Sequence, residues 1–166
     1  MKEKQLQDIT ALYGRLSRDD EVGGESMSIQ SQRAILGQYA KEHGFTNCQF
    51  FMDDGYSGTN FDRPAFTEMM ELVEQRRVRT IIVKDLSRLG RNYLEVGRYT
   101  EVIFPENKVR FIAITDGVDS AAGDNEFAPF KNIINEWYAK DISRKVKSAF
   151  KAKALRGEYT GAYPPY

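Results

Sequence analysis

Residues 80–83 read Thr-Ile-Ile-Val, and residues 84–92, which follow directly, read KDLSRLGRN. A short, unbroken apolar run is typical of a strand that is buried on both faces. Such strands occur in parallel sheets that helices cover on both sides. The run therefore predicts an α/β fold in which residues 84–92 lie at the carboxyl end of a central strand.

Apolar strands alternate with helical patterns on both sides of this run. The predicted strands are residues 9–16, 47–52, 80–83 and 109–114, and the helices begin near Ser26 or Ser28, Pro64, Asn92 and Phe127. The order β-α-β-α-β-α-β-α predicts a mostly parallel sheet of four to five strands, flanked by helices. Residues 53–64 and 116–125 are polar and contain glycine, which predicts loops.

The apolar positions of the first two helices predict their buried faces. They are Ile29, Ala34, Ile35, Leu36 and Tyr39 in the first helix, and Phe66, Met69, Met70 and Val73 in the second. Gly44 is expected to end the first helix in a left-handed conformation, which glycine adopts readily. Pro64 suits the first turn of the second helix, where no backbone N–H is required.

The last helical pattern, residues 127–155, is long for a chain of 166 residues. Its apolar residues are Phe127, Phe130, Ile133, Ile134, Trp137, Ile142, Val146 and Phe150. At 1.5 Å per residue such a helix is about 40 Å long, more than a small domain can cover. Its first half can cap the core, and we expect the remainder to pack on another subunit or on DNA.

Composition limits the classes of protein that fit. No apolar run approaches the ~20 residues that cross a bilayer. The polar N-terminus does not resemble a signal peptide. Cys48 is the single cysteine, so we expect a cytoplasmic protein. The formal net charge is zero, but basic residues cluster between 76 and 91 and between 140 and 156. Each cluster forms either a local positive field or an ordinary solvated helix face.

Ser17 ends the first predicted strand, and Arg15 lies two residues before it, on the same side if the strand continues. Ligands of open α/β sheets bind beyond the carboxyl ends of the strands. Arg88 and Arg91 follow the third strand, and Arg63 follows the second. Taken alone, the pentapeptide YGRLS is also consistent with an ordinary strand end. Lys84 is either a phosphate contact or a lysine at the protein surface.

Four guanidiniums beside a serine favour a phosphodiester as the target. Arginine binds phosphate through two parallel hydrogen bonds and offsets the charge that develops during phosphoryl transfer. The chain has one histidine, His43, at a predicted helix end, and its acidic residues lack the spacing of a two-metal site. We therefore expect neither a metal nor another cofactor.

Four segments resemble serine site-specific recombinases, the family of resolvases, invertases and large serine integrases. YGRLS resembles the family's Tyr-x-Arg-x-Ser motif, SMSIQSQRAIL its glutamine-containing helix, and DGYSGTNFDRP its Asp-x-x-Ser-Gly motif followed by Arg-Pro. LSRLGRN resembles Leu-Asp-Arg-Leu-Gly-Arg. The four motifs occur in the family's order over residues 9–153, and KDLSRLGRNY is most similar to the large transposon-type members.

The resemblance implies that Ser17 is the nucleophile and forms a 5′-phosphoserine link to DNA. It implies that the arginines hold the scissile phosphate: Arg15, Arg63, Arg88 and Arg91. It implies a supporting role for Gln30 and a weaker structural one for Tyr13, Asp54 and Ser57. Lys84 is expected to support the site from its position at the strand end, not from the resemblance. The family acts as a tetramer on double-stranded DNA and needs no ATP, because the phosphoserine ester conserves the bond energy.

Two departures from the family pattern concern carboxylates. Ser87 stands where the family's motif has Asp, and Arg144 and Lys145 stand where its long helix has Glu-Arg. Asp85 or Asp141 could supply the missing carboxylate, or the carboxylates are dispensable.

The resemblance also implies a division of the chain. Residues 1–125 would be the catalytic core, residues 126–156 a helix for dimerisation and DNA contact, and residues 157–166 the start of a linker to further DNA-binding domains. The expected DNA-contacting residues are Arg144, Lys145, Lys147, Lys151, Lys153 and Arg156.

Three other functions fit parts of the sequence. A non-catalytic domain could use the same arginines to bind a phosphate ligand, although no phosphate-binding glycine motif is present. A dimerisation and DNA-binding module would not need the serine. A serine hydrolase would need a general base beside Ser17, and the sequence has no nucleophile-elbow motif.

Overall fold

The computed structural model describes residues 8–17, 29–55, 63–90, 92–122 and 128–158, apart from the side chains of residues 17, 54, 55 and 128–131. The chain divides between Phe130 and Lys131 into two compact units. In the described residues, no helix is both long enough and apolar enough to cross a membrane.

The first unit contains a five-stranded sheet in the order β2-β1-β3-β4-β5. The strands are β1 (Ile9–Ser17), β2 (Cys48–Gly55), β3 (Val78–Val83), β4 (Arg110–Ala113) and β5 (Val118–Asp119). The first four run parallel, and β5 pairs with β4 in the antiparallel direction. The predicted mostly parallel α/β sheet is confirmed, and β1 lies between β2 and β3.

Helices alternate with these strands. They are α1 (Ile29–Glu42), α2 (Pro64–Glu74), α3 (Leu86–Leu89), α4 (Tyr93–Arg98), α5 (Phe104–Glu106) and α6 (Ala128–Leu155), and a π-helical segment (Tyr99–Ile103) joins α4 to α5. The side chain of Asn92 accepts a hydrogen bond from the Leu94 amide at the start of α4. The long final helix is confirmed and occupies most of the second described unit.

Both faces of the sheet are covered by apolar side chains. On one face, Leu12, Ile82 and Ile112 pack against Leu36 and Ala40 of α1. On the opposite face, a series of aromatic contacts runs from β1 to β4. Its pairs are Tyr13–Phe66, Phe66–Tyr99, Tyr99–Phe104 and Phe104–Phe111. Burial of both faces explains why residues 81–83 of β3 are apolar without alternation.

Helix α1 ends as the sequence predicts, but its buried face differs from the predicted one. Gly44 has a φ of 72°, which confirms the left-handed cap. The buried residues are Gln32, Leu36 and Ala40, whereas Ala34 is exposed. The prediction for Ala34 is wrong because the buried stripe follows a spacing of four residues and includes a glutamine. Ser26 and Ser28 lie outside the described residues.

Two predicted loops contain strand residues. β2 continues to Gly55, so residues 53–55 belong to the sheet and not to the loop. β5 lies within the predicted loop 116–125 and is fastened to β4 by the ion pair between Arg110 and Asp119, at 2.6 Å. A strand of two residues is too short to show an alternating pattern, and the sequence prediction therefore missed it.

Candidate active site

The carboxyl ends of β1 and β3 meet at one edge of the sheet. Tyr13 of β1 is aligned with Val83, the last residue of β3, and α3 begins three residues later. β1 continues through Ser17, which is aligned with Gly55 of β2. The predicted nucleophile is thus at the carboxyl end of a strand with neighbours on both sides, while its side chain lies outside the described structure.

Three of the predicted arginines share one hydrogen-bond network at this edge. Arg15 Nη2 donates to the Ser87 carbonyl at 2.9 Å, and Arg88 Nη1 donates to the Arg15 carbonyl at 2.8 Å. Arg63 Nη2 donates to the Arg88 carbonyl at 3.3 Å. We call Arg15, Arg63 and Arg88 the arginine cluster. Arg91, the fourth predicted arginine, lies outside the described residues.

A buried glutamine fixes the backbone of Arg15. Gln32 Oε1 accepts a hydrogen bond from the Arg15 amide at 3.2 Å, and Gln32 Nε2 donates to the Arg15 carbonyl at 3.1 Å. Gln32 has no exposed surface. Gly14 permits this close approach, because a Cβ there would lie 2.6 Å from Met52 Sδ and 3.1 Å from Gln32 Oε1.

Arg63 is held by aromatic side chains and by one hydroxyl. Its Nε and Nη2 donate to Tyr13 Oη at 3.1 and 2.8 Å. Its guanidinium carbon lies 4.0 Å from the Phe66 ring centre, within the range of a cation–π interaction. Tyr13 in turn donates to Asp53 Oδ2 at 2.9 Å. Burial raises the pKa of the Tyr13 phenol, so the hydroxyl stays protonated at neutral pH.

Two carboxylates organise the short helix α3. Asp116 Oδ2 accepts a hydrogen bond from the Leu86 amide at 2.7 Å, and Ser87 Oγ donates to the Asp85 carboxylate. Asp85 Oδ2 lies 3.5 Å from Arg88 Nε and 3.9 Å from Lys84 Nζ. Burial, reinforced by the charge of Asp85, raises the pKa of Asp116.

Of the remaining predicted site residues, Lys84 meets this network through Asp85, whereas no described contact joins Gln30 to it. Gln30 is exposed in the first turn of α1, and Lys84 is partly buried beside Asp85. Ser57 and the side chain of Asp54 lie outside the described structure. Their supporting roles stay predictions, as does the role of each arginine.

Sequence reasoning missed three residues that hold the cluster: Gln32, Asp53 and Asp116. Gln32 had a signal, since it precedes Leu36 and Ala40 at intervals of four and is therefore a polar residue on a buried helix face. Asp53 forms an acidic pair with Asp54, and the sequence does not show which carboxylate is buried. Asp116 had no signal beyond its position after a strand.

The cationic side chains that the structure describes on α6 are exposed. Lys145 and Lys140 form ion pairs within the helix, with Asp141 at 2.9 Å and with Glu136 at 2.8 Å. The other predicted DNA contacts, Arg144, Lys147, Lys151, Lys153 and Arg156, are also exposed. Five large apolar side chains of the helix are exposed as well: Tyr138, Ile142, Val146, Phe150 and Leu155.

The metal-ligating residue types do not assemble in the described structure. Among those residues, no three His, Cys, Asp or Glu side chains are grouped so that they could hold a metal ion. Cys48 is exposed, and His43 stacks on Tyr39 at the end of α1 with ring centres 3.9 Å apart. The polar groups concentrated at the arginine cluster suit an anionic ligand.

Solved structures share this fold. The N-terminal catalytic domain of TP901-1 integrase is 24% identical with a TM-score of 0.63, over 84% of this chain and 98% of that chain. A resolvase family site-specific recombinase from Streptococcus pneumoniae is 22% identical with a TM-score of 0.62, over 90% and 99% of the two chains. The catalytic domain of ISC1926 TnpA, an IS607-like serine recombinase, is 21% identical with a TM-score of 0.50, over 90% and 99%.

The sequence itself matches one protein family. No curated protein matches the chain at a significant level. The family model described as "Resolvase, N terminal domain" matches residues 10–159, which include β1 apart from Ile9, the arginine cluster and the whole of α6. The chain therefore belongs to the resolvase family of serine recombinases and carries its N-terminal domain.

Proposed function

We propose that this domain cuts and rejoins DNA at specific sites by attack of Ser17 on a backbone phosphate. The observation that carries the proposal is the arginine cluster, which gathers three guanidiniums at the carboxyl end of the strand that Ser17 ends. A binding site for a neutral ligand would not require this concentration of positive charge. Family membership supports site-specific recombination as the overall reaction.

In the proposed cleavage, the Ser17 oxygen forms a bond to phosphorus while the bond from phosphorus to the 3′ oxygen breaks. The serine gives up its proton to a base, and the departing strand leaves as a 3′-hydroxyl that takes up a proton. The 5′ end stays attached as a phosphoserine ester. Because the ester conserves the energy of the broken bond, rejoining by attack of a 3′-hydroxyl needs no ATP.

Arg15, Arg63, Arg88 and Arg91 would bind the non-bridging oxygens of the phosphate and offset the charge added in the transition state. Such electrostatic stabilisation is the main requirement of phosphoryl transfer. Arg88 is the most buried of the three described arginines, at 8% exposed, and it donates to the Arg15 carbonyl. We propose that these guanidiniums do the work for which other enzymes use a metal ion.

We further propose that Asp85 supplies the carboxylate that Ser87 replaces. Its Oδ2 lies 3.5 Å from Arg88 Nε, and its carboxylate accepts the Ser87 hydroxyl proton in a hydrogen bond. A carboxylate in this position would orient Arg88 from the Nε side, while Nη1 donates to the Arg15 carbonyl. Asp141, the other candidate, pairs with Lys145 on α6.

Assembly is proposed to use α6. The exposed apolar side chains Tyr138, Ile142, Val146 and Phe150 provide a surface for a second copy of the chain, and the exposed cations of the helix suit the DNA backbone. We propose a dimer that pairs into a tetramer on double-stranded DNA. The similarity to transposon-type recombinases supports excision or insertion of a mobile element as the biological outcome.

The nucleophile can be tested directly. The full-length natural protein is incubated with a nicked duplex that carries its recombination site, identified first by footprinting on DNA that flanks its own gene. A stalled reaction should yield a peptide containing Ser17 joined to a 5′ phosphate, detected by denaturing gel and mass spectrometry. Ser17→Ala should abolish cleavage and leave the affinity for the duplex unchanged within about twofold, since a hydroxyl contributes little to phosphate-driven binding.

Two outcomes would contradict the mechanism. Cleavage by the Ser17→Ala protein would exclude Ser17 as the nucleophile. Tight, specific binding by the unsubstituted protein with no covalent adduct would favour a non-catalytic DNA-binding module.

A further inference from the structure

The orientation of Arg63 depends on the oxygen of one tyrosine. Both Nε and Nη2 of the guanidinium donate to Tyr13 Oη, at 3.1 and 2.8 Å. These two bonds fix the plane of the guanidinium, and Nη2 also reaches the Arg88 carbonyl at 3.3 Å. Tyr13 therefore orients Nη2, the atom through which Arg63 contacts Arg88 in the arginine cluster.

Tyr13 can accept these bonds only if its own proton points elsewhere. A phenol has one proton to donate, and a guanidinium donates without accepting. The proton must therefore go to a third group, and Asp53 Oδ2 lies 2.9 Å from Tyr13 Oη. Tyr13 is completely buried and Asp53 is 4% exposed, so water does not readily replace either partner.

The same carboxylate also fixes the backbone next to Arg63. Asp53 Oδ1 accepts a hydrogen bond from the Ala65 amide at 2.8 Å, and Oδ2 accepts one from the Phe66 amide at 3.0 Å. These amides belong to the first turn of α2, where the helix dipole stabilises a negative charge. Asp53 thus contacts both the helix that follows Arg63 and the hydroxyl that binds its side chain.

We propose that Asp53 is a positioning residue of the recombination site, which acts on Arg63 through the Tyr13 hydroxyl. The inference rests on the proposed function, in which Arg63 binds the scissile phosphate. Asp53 would not contact DNA. It would keep the Tyr13 oxygen as an acceptor and α2 in place, so that Arg63 needs no rearrangement when the phosphate arrives.

A double-mutant cycle separates this role from a general effect on folding. Tyr13→Phe keeps the ring that packs on Phe66, with ring centres 5.3 Å apart, and removes the acceptor. We expect the single-turnover rate of adduct formation on the nicked duplex to fall about tenfold, with duplex affinity unchanged, because positioning affects the transition state more than binding. In an Arg63→Ala background, Tyr13→Phe should change the rate less than about twofold.

Asp53→Asn tests the carboxylate itself. Three donors converge on Asp53, and an amide offers one oxygen and an NH₂ group that must face at least one of them. We expect a rate loss of at least about tenfold in the otherwise unsubstituted protein and little further loss in the Arg63→Ala background. Thermal melting of each variant, followed by circular dichroism, shows which of them remain folded at the assay temperature.

Tyr39→Phe is the matched control, since it removes a tyrosine hydroxyl from α1, where the ring stacks on His43, and it should leave the rate unchanged. Equal effects of Tyr13→Phe in the two Arg63 backgrounds would overturn the inference, as would an unchanged rate in Tyr13→Phe alone. An unchanged rate in Tyr13→Phe would rule out the positioning role even if the Asp53→Asn protein fails to fold. Failure of the unsubstituted protein to form any Ser17 adduct would overturn the proposed function itself, so the two failures are distinguishable.

Discussion

The arginine cluster and helix α6 carry the same kind of charge in opposite settings. At the cluster, Arg15, Arg63 and Arg88 donate to backbone carbonyls, and Arg88 is nearly buried. On α6 the cations from Lys140 onward are exposed, and their described ion pairs lie within the helix itself. A fixed guanidinium suits the stabilisation of a transition state, whereas an exposed one suits attraction of a polyanion.

This difference predicts that substitutions at the cluster change rate and substitutions on α6 change affinity. The largest effect is expected for Arg88→Ala. Removal of one preorganised donor from a charged transition state lowers the rate by about 10²- to 10³-fold. The measurement is the single-turnover rate of covalent adduct formation at saturating protein.

Asp85→Asn sharpens the same prediction, because it leaves Arg88 in place and removes the carboxylate 3.5 Å from its Nε. Its rate should lie between those of the unsubstituted protein and Arg88→Ala. If Arg88→Ala cleaves DNA at the normal rate but binds the duplex more weakly, the cluster contributes to affinity as α6 does. The predicted difference between the two regions would then be wrong.

A smaller effect is expected for the double substitution Lys151→Gln and Lys153→Gln on α6. Both side chains are exposed. Removal of one cation that neutralises a phosphate makes the plot of log affinity against log salt less steep by about 0.9, hence by about 2 for the pair. Affinity should fall equally for specific and unrelated duplexes, as measured by fluorescence anisotropy at several salt concentrations. An unchanged slope together with slower cleavage would place these lysines in the catalytic machinery instead.

The smallest effect is expected for Asp141→Asn. Its ion pair with Lys145 spans one helical turn at the surface, and such pairs contribute about 0.2–0.5 kcal/mol. The free energy of unfolding, measured by urea denaturation, should fall by no more than that. Asp119→Asn serves as the contrast, since two donors of Arg110 reach Asp119 at 2.9 and 2.6 Å, and its removal should cost about 1–2 kcal/mol.

The fold was predictable because its strands and helices are marked by local patterns. The apolar run of β3, the glycine at the end of α1 and the proline at the start of α2 each specify structure within a few residues. The π-helical segment between α4 and α5 was not predictable in this way. Its apolar spacing resembles that of an α-helix, and Thr100 donates to the Val96 carbonyl at 2.8 Å without any distinct sequence signal.

The candidate site was only partly predictable, for a different reason. The arginines stand at strand ends, and the order of strands brings strand ends together. Gln32 reaches the Arg15 backbone from helix α1, and Asp53 reaches Tyr13 from the neighbouring strand. These contacts depend on the packing of α1 and on the register of β2. Arg15 is aligned with Asp53 in the pairing of β1 with β2, and a shift of one residue would bring Asp54 to that position instead. Register is set by the packing of the whole core, so no local pattern reveals it.

The central place of β1 has a consequence for the exchange of amide hydrogens. β1 is hydrogen-bonded to β2 on one side and to β3 on the other, and Leu12 and Tyr13 have no exposed surface. Amides in such a strand exchange with solvent only when the whole domain opens, whereas an exposed helix exchanges through local fraying. Deuterium uptake should therefore be fast along α6 and slowest in the middle of β1. The strand that ends in Ser17 would thus be the most persistent part of the domain.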